Sequence, residues 1–187
     1  RVARELRRAL IDPSIGTQDL TTVLAVESDR LVAFTPLITA IRLATTAASI
    51  LLAAPEIISG DRVILALTAV VVTYATIRSF RPVEYFTGVR SLLRALGEGL
   101  LHALIIVGTG CWDSPFVYTI LPVVVVAGFA RGFGFGLRVA LTCSLAISLP
   151  ELYLSGWSME ALQVCATWSS MLLLISVVSG YGRRVSG

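Results

Sequence analysis

The sequence has no lysine and little charge of any kind. All 15 basic residues are arginine, and only 14% of the 187 residues are charged, against about a quarter in a soluble globular domain. A guanidinium does not shed its proton in a protein, so the +3 net charge comes from groups that stay charged. The arginines lie between apolar runs rather than on one patch, which argues against nucleic acid as a partner. Cysteine is scarce as well. Cys111, Cys143 and Cys165 are an odd number with no CxxC pair, so neither a zinc site nor a disulfide framework is signalled, and no metal or cofactor is expected. One histidine, no Ser/His/Asp set at recognisable spacing and no paired aspartates within an apolar run leave nothing to build catalysis on, so this chain is not expected to be an enzyme. The opening RVARELRRAL also lacks a cleavable signal pattern, so the first apolar run is expected to stay in the mature protein.

What is present is hydrophobic sequence, 56% of the chain. Apolar runs cover 34–54, 62–79, 96–111, 115–131, 135–150 and 159–181. Their lengths are near the roughly 20 residues with which a helix, rising about 1.5 Å per residue, crosses a bilayer. The expected fold is therefore all-α: a polytopic bundle of about six transmembrane helices with the lipid bilayer as its first partner. Residues 1–33 read as a cytoplasmic leader, in which Val2, Leu6, Ala9 and Leu10 recur at helical spacing with arginine on the other face, as in an interfacial helix or a connection from an upstream domain. Residues 34–182 form the membrane domain, and 183–187 begin a cytoplasmic connection. The joints are built from turn formers: Pro55, Gly60 and Asp61, then Arg81-Pro82, then Asp113-Ser114-Pro115, then GFGFG at 132–136, then Pro150 to Gly156. GFGFG lacks the preceding strand of a nucleotide loop and reads as a tight turn.

Arginine orients the bundle, because positive loops resist translocation. The leader, the second-to-third joint, the fourth-to-fifth joint and the tail hold thirteen of the fifteen arginines, while the opposite loops hold only Arg62. Both termini are expected in the cytoplasm.

Charge at membrane depth costs about 2.5–3.5 kcal/mol on insertion scales, so what remains there faces protein or water. Arg42 lies mid-way along the first run, and Glu98 and His102 share one face of the third. One reading is a polar pocket in which Arg42 pairs with Glu98 and His102 responds to protons or a ligand. The other readings are an ion pair that only fixes packing, or a Glu98 that snorkels to the interface beside Arg94. Ala40, Ala44, Ala47 and Ala48 make a small-residue stripe, and Gly97, Gly108 and Gly110 thin the third helix, so these two helices are expected to touch. In the outer loop Cys111 to Phe116, Asp113 or Ser114 can cap the next helix with Pro115 in its first turn, and Trp112, Tyr118, Tyr153 and Trp157 suit an aromatic belt. Pro122 falls inside the fourth run, where it would free a carbonyl and permit a kink, and Pro150 would end the fifth.

The segment CWDSPFVYTILPVVVVAGFARGFGFGLRVAL resembles the membrane-embedded N-terminal sensor domains of bacterial, especially actinobacterial, two-component sensor histidine kinases. Ser114, Pro115, Phe116, Pro122, Ala127, Gly128 and Gly136 occupy the places of that family's loop, helix and turn, over about 35 residues; the Gly-Gly pair that often precedes its Ser-Pro-Phe is absent, replaced by Gly110-Cys111-Trp112-Asp113. The resemblance implies a signal-input domain in the bacterial plasma membrane. It implies a homodimer, and a cognate response regulator as partner through a downstream kinase domain. Trp112, Asp113, Ser114, Pro115, Phe116 and Pro122, with Arg42, Glu98 and His102, are then the candidates for sensing a stimulus or a small-molecule or lipid ligand. A competing reading is the substrate-binding membrane subunit of an energy-coupling-factor-like transporter, which requires a sealed ligand pocket. A third is a membrane assembly or scaffold protein, which requires none.

Overall fold

A computed structural model describes residues 17–80 and 89–185. The described residues are helical with short joints and no strand. Helix α1 runs Thr17–Ile58, α2 Arg62–Phe80 and α3 Val89–Gly108. Two 3₁₀ turns, Cys111–Asp113 and Val117–Ile120, lead into α4, Leu121–Arg131; α5 is Phe133–Leu154 and α6 is Met159–Val185. The chain divides into two compact units, Arg1–Pro36 and Leu37–Gly187. In the first, residues 17–36 are helical, and the leader helix expected from Val2, Leu6, Ala9 and Leu10 lies outside the described residues, as does the joint Arg81-Pro82.

Among the described residues, five stretches are long and apolar enough to cross a membrane: Thr35–Ile58, Arg62–Phe80, Arg90–Gly108, Phe133–Leu154 and Met159–Arg184. The expected fourth span is a shorter apolar element, Val117–Arg131. Several boundaries move for identifiable reasons. Pro55 lies within α1, whose last turn continues through Ser59 N donating to Pro55 O at 3.0 Å. Asp61 is the cap of α2, its Oδ1 accepting from Val63 N at 2.8 Å and Ile64 N at 3.1 Å. Pro122 stands in the first turn of α4, where its missing N–H costs nothing, so it starts a helix instead of kinking one. Pro150, expected to end α5, sits inside it. The GFGFG turn shrinks to Gly132, at φ 82°, while Gly134 and Gly136 belong to α5.

The densest packing joins α5 to α6, α4 to α6, α3 to α5 and α4 to α5. Within this four-helix core α4 is enclosed: every residue from Pro122 to Gly128 is buried. Three close approaches between α4, α5 and α6 depend on the absence of side chains. A methyl on Gly128 would lie 2.8 Å from Ser179 Cβ, one on Gly136 would lie 2.9 Å from Gly128 Cα, and one on Gly180 would lie 2.7 Å from Phe133 Cα. Arg183 closes the same end by donating to Ala130 O at the last turn of α4.

The first two helices contribute narrower stripes to the buried surface. That of α2 is Ile64, Thr68, Val71 and Ala75; that of α1 is Arg42, Thr46, Ser49 and Ala53. Of the expected Ala40, Ala44, Ala47 and Ala48 stripe, the first three face outward and Ala48 is half-buried. Gly97 and Gly108 likewise meet nothing within 4 Å, and it is Gly99 that lies close to a neighbour, with Cys143 Sγ 2.6 Å from where its Cβ would be.

Candidate functional site

Arg42 and Glu98 meet as the sequence suggests, with Arg42 Nη2 3.6 Å from Glu98 Oε1. The closer partner is one that sequence reasoning assigned to a loop: Arg78, near the end of α2, donates Nη2 to Glu98 Oε2 at 2.9 Å. Glu98 is therefore one carboxylate, 3% exposed in its side chain, approached by guanidiniums from two different helices. Its position on the core helix α3 makes it the common ionic anchor of α1 and α2, with its carboxylate turned into protein. Tyr74, one turn before Arg78, accepts from Arg78 Nε at 3.0 Å and lies under the guanidinium, 5.5 Å from its ring centroid.

His102, one turn beyond Glu98, packs its imidazole edge to face against the Tyr74 ring, with centroids 5.4 Å apart. Its Nδ1 lies 3.1 Å from Thr119 Oγ1, and Thr119 Oγ1 donates to Phe116 O at 2.7 Å. A polar line thus runs from the 3₁₀ segment through Thr119 and His102 towards Glu98. It borders a cavity of about 10 Å³, room for roughly one water, lined by Arg42, Thr45, Thr46, Tyr74, Glu98, His102, Thr119 and Pro122 among others. Four sequence candidates, Arg42, Glu98, His102 and Pro122, are brought together here. Tyr74, Arg78 and Thr119 were missed. The i, i+4 spacing of Tyr74 and Arg78 was the available signal for the first two.

The segment Cys111–Phe116 is a separate structure. It was expected as an outer loop; within it only Asp113 is exposed, and Cys111, Trp112, Ser114, Pro115 and Phe116 are buried. Irregular backbone buried in protein needs partners there for its polar groups. Ser114 Oγ accepts from Phe116 N at 3.1 Å and bonds Thr109 Oγ1 at 2.5 Å. Pro115 lies between the two 3₁₀ turns and not in the first turn of a helix. Trp112 is not part of an aromatic belt. It is 2% exposed, donates Nε1 to Ser148 Oγ at 3.1 Å, and stacks on Trp168 with centroids 5.6 Å apart. Tyr153 and Trp157 are the exposed aromatics at that end, at 82% and 66%.

Among the described residues no group of three His, Cys, Asp or Glu side chains is placed to hold a metal ion. No family model matches this sequence, and no curated protein or solved structure is recognisably similar to it.

Proposed function

We propose that this chain is the signal-input domain of a bacterial sensor histidine kinase, set in the plasma membrane and relaying a stimulus to a cytoplasmic kinase and its response regulator. The observation that carries the reading is the shared anchor: α1 and α2 are tied to the core by two guanidiniums on one carboxylate, Glu98. Breaking that tie gives the same helices a second packing, which is what a two-state input requires. The partner helix for output is α6, which lies against both α4 and α5 and ends beside the Arg183 contact to Ala130.

On this reading Val117–Arg131 is the sixth crossing. Four 3₁₀ residues at about 2.0 Å and eleven α residues at about 1.5 Å span roughly 25 Å, close to the hydrocarbon thickness. Six crossings put both termini on one side, and the twelve arginines that the sequence assigns to that side besides Arg78 support its being the cytoplasm. The transporter-subunit alternative needs a pocket of about 300 Å³ or more, and the cavity here has room for about one water.

The test is the reading frame beyond Gly187 together with a variant of the full protein. A helix bearing a phosphoacceptor histidine, followed by an ATP-binding domain whose autophosphorylation changes in Glu98→Gln, supports the proposal. A frame that stops nearby, or a kinase whose output ignores Glu98→Gln, removes it.

A further inference from the structure

The cavity beside Glu98 has a lopsided set of hydrogen-bonding groups. Thr45 Oγ1 donates to Ile41 O at 2.9 Å, Thr46 Oγ1 to Arg42 O at 2.8 Å and Thr119 Oγ1 to Phe116 O at 2.7 Å. Each hydroxyl has one proton and has spent it on backbone, so these oxygens offer only lone pairs. It follows that the 3.1 Å contact between Thr119 and His102 is donated by the imidazole, Nδ1–H to Oγ1. The neutral ring then carries its lone pair on Nε2, an assignment made from the network of bonds. Glu98 adds further acceptors. The donors facing them are the Tyr74 hydroxyl, which keeps its proton while accepting from Arg78 Nε, and Arg42, whose side chain is 9% exposed and whose guanidinium approaches Glu98 only to 3.6 Å, beyond hydrogen-bond reach.

A species no larger than about one water that accepts once from Arg42 and donates to surrounding lone pairs fits this set. Water does so. A carbon-bearing ligand is too large, and an anion would face the lone pairs of Thr45, Thr46 and Glu98. We infer that the cavity is a water-linked proton-binding site: a water bridges Arg42 to His102 Nε2, and the species the site takes up is a proton. In the uptake step an O–H bond of the protonated water breaks, an N–H bond forms at Nε2, and the water remains. His102 gains one positive charge.

The groups facing that charge are Arg42 from α1, Tyr74 and Arg78 from α2, Glu98 from α3 and the uncharged Thr119. Arg42 and Arg78 repel the imidazolium and Glu98 attracts it. The new cation therefore competes for the carboxylate that anchors α1 and α2. This last step rests on the signal-input reading; the proton site itself does not.

The chain has one histidine, so ¹⁵N-histidine labelling reports His102 alone. With the labelled chain in lipid nanodiscs, nitrogen NMR is expected to show the Nδ1–H neutral tautomer, a ring–water contact, and reversible conversion to the doubly protonated ring on acidification. Thr119→Val is expected to mix the tautomers. An Nε2–H tautomer, a dry ring, a ring that stays neutral until the chain unfolds, or an unchanged tautomer in Thr119→Val overturns the inference. Spin labels on α1 and α3 separate it from the function proposed above. Proton uptake with no change in their spacing keeps the proton site and removes the input reading, whereas a spacing change with a ring that never protonates does the reverse.

Discussion

Helices α4, α5 and α6 meet through Gly128, Gly136 and Gly180, with backbone nearly touching backbone, whereas α1 and α2 reach α3 through the long side chains of Arg42 and Arg78. The first junction draws on close packing, which in lipid is the main attraction between helices because the tails are as apolar as leucine. Its geometry is set by steric contact and leaves little room for an alternative. The second draws on charge, whose energy depends on the protonation and placement of a few atoms. One bundle thus contains a joint set by steric contact and a joint held by a few charges. The two are expected to fail in opposite ways: the glycine joint to added volume, the ionic joint to altered charge.

The largest effect is expected at the ionic joint. Glu98→Gln keeps shape and removes the counter-charge, stranding an Arg42 side chain that is only 9% exposed. Breaking one side of a buried ion pair costs about 3–5 kcal/mol, and the lower end applies here because Arg78 is 24% exposed and can turn towards water. Unfolding in mixed detergent micelles measures this. The double variant Arg42→Met with Glu98→Leu, which removes the stranded charge as well, is expected to be more stable than Glu98→Gln alone. If the double variant is the worse of the two, volume rather than charge governs this joint and the contrast collapses.

Next comes the glycine joint. Gly180→Ala places a methyl 2.7 Å from both Phe133 Cα and Phe133 N, atoms that cannot swing aside. Gly128→Ala meets Ser179 Cβ at 2.8 Å. Overpacking of this kind costs about 1–3 kcal/mol, measured in the same unfolding assay. Glycine-to-alanine variants that leave stability unchanged would show that these helices slide apart easily, and the joint would not be the rigid one.

Much of the ionic joint was legible in the sequence, because a charge inside an apolar run is conspicuous: Arg42, Glu98 and His102 stand out against their neighbours. Arg78 did not, since counting arginines by loop treats each as a marker of topology, while its side chain reaches back to Glu98 from near the end of α2. The glycine joint was less legible. Gly128 was noticed only through a family pattern, Gly136 only there and as part of the GFGFG turn, and Ser176 and Gly180 not at all, although their i, i+4 spacing is the small-residue signal for close helix contact. The alanine stripe at 40, 44 and 47 gave the same signal and faces outward. In a membrane, apolar character does not define the inside, so the buried face of α1 is its polar one, Arg42, Thr46 and Ser49. Trp112 misled for a related reason: aromatic residues suit the interface, and only the Ser148 and Trp168 contacts mark this one as core.

Trp112 offers a control that belongs to neither joint. Trp112→Phe keeps an aromatic ring against Trp168 and removes the Nε1–H that serves Ser148. A hydrogen bond of this kind contributes about 1 kcal/mol net. A loss near that size, additive with both Glu98→Gln and Gly128→Ala, is expected if the three sites are independent. Strong non-additivity with Glu98→Gln would mean that the buried 3₁₀ segment and the ionic joint move together, through Phe116, Thr119 and His102.

The smallest effect sharpens the comparison because its sign should differ. Gly97 is adjacent to Glu98 on the same helix as the ionic joint, yet a methyl there meets nothing within 4 Å. Alanine in a helix interior is favoured over glycine by about 0.5–1 kcal/mol, since less backbone freedom is lost on folding. With no steric penalty to oppose it, Gly97→Ala is expected to raise stability by about 0.5 kcal/mol in the same assay. The identical substitution is thus predicted to stabilise beside Glu98 and to destabilise at Gly128 and Gly180. If Gly97→Ala is destabilising, then α3 is packed on that face as well, by lipid or by a second copy of the chain. The looseness attributed to the ionic joint would then have to be reassigned.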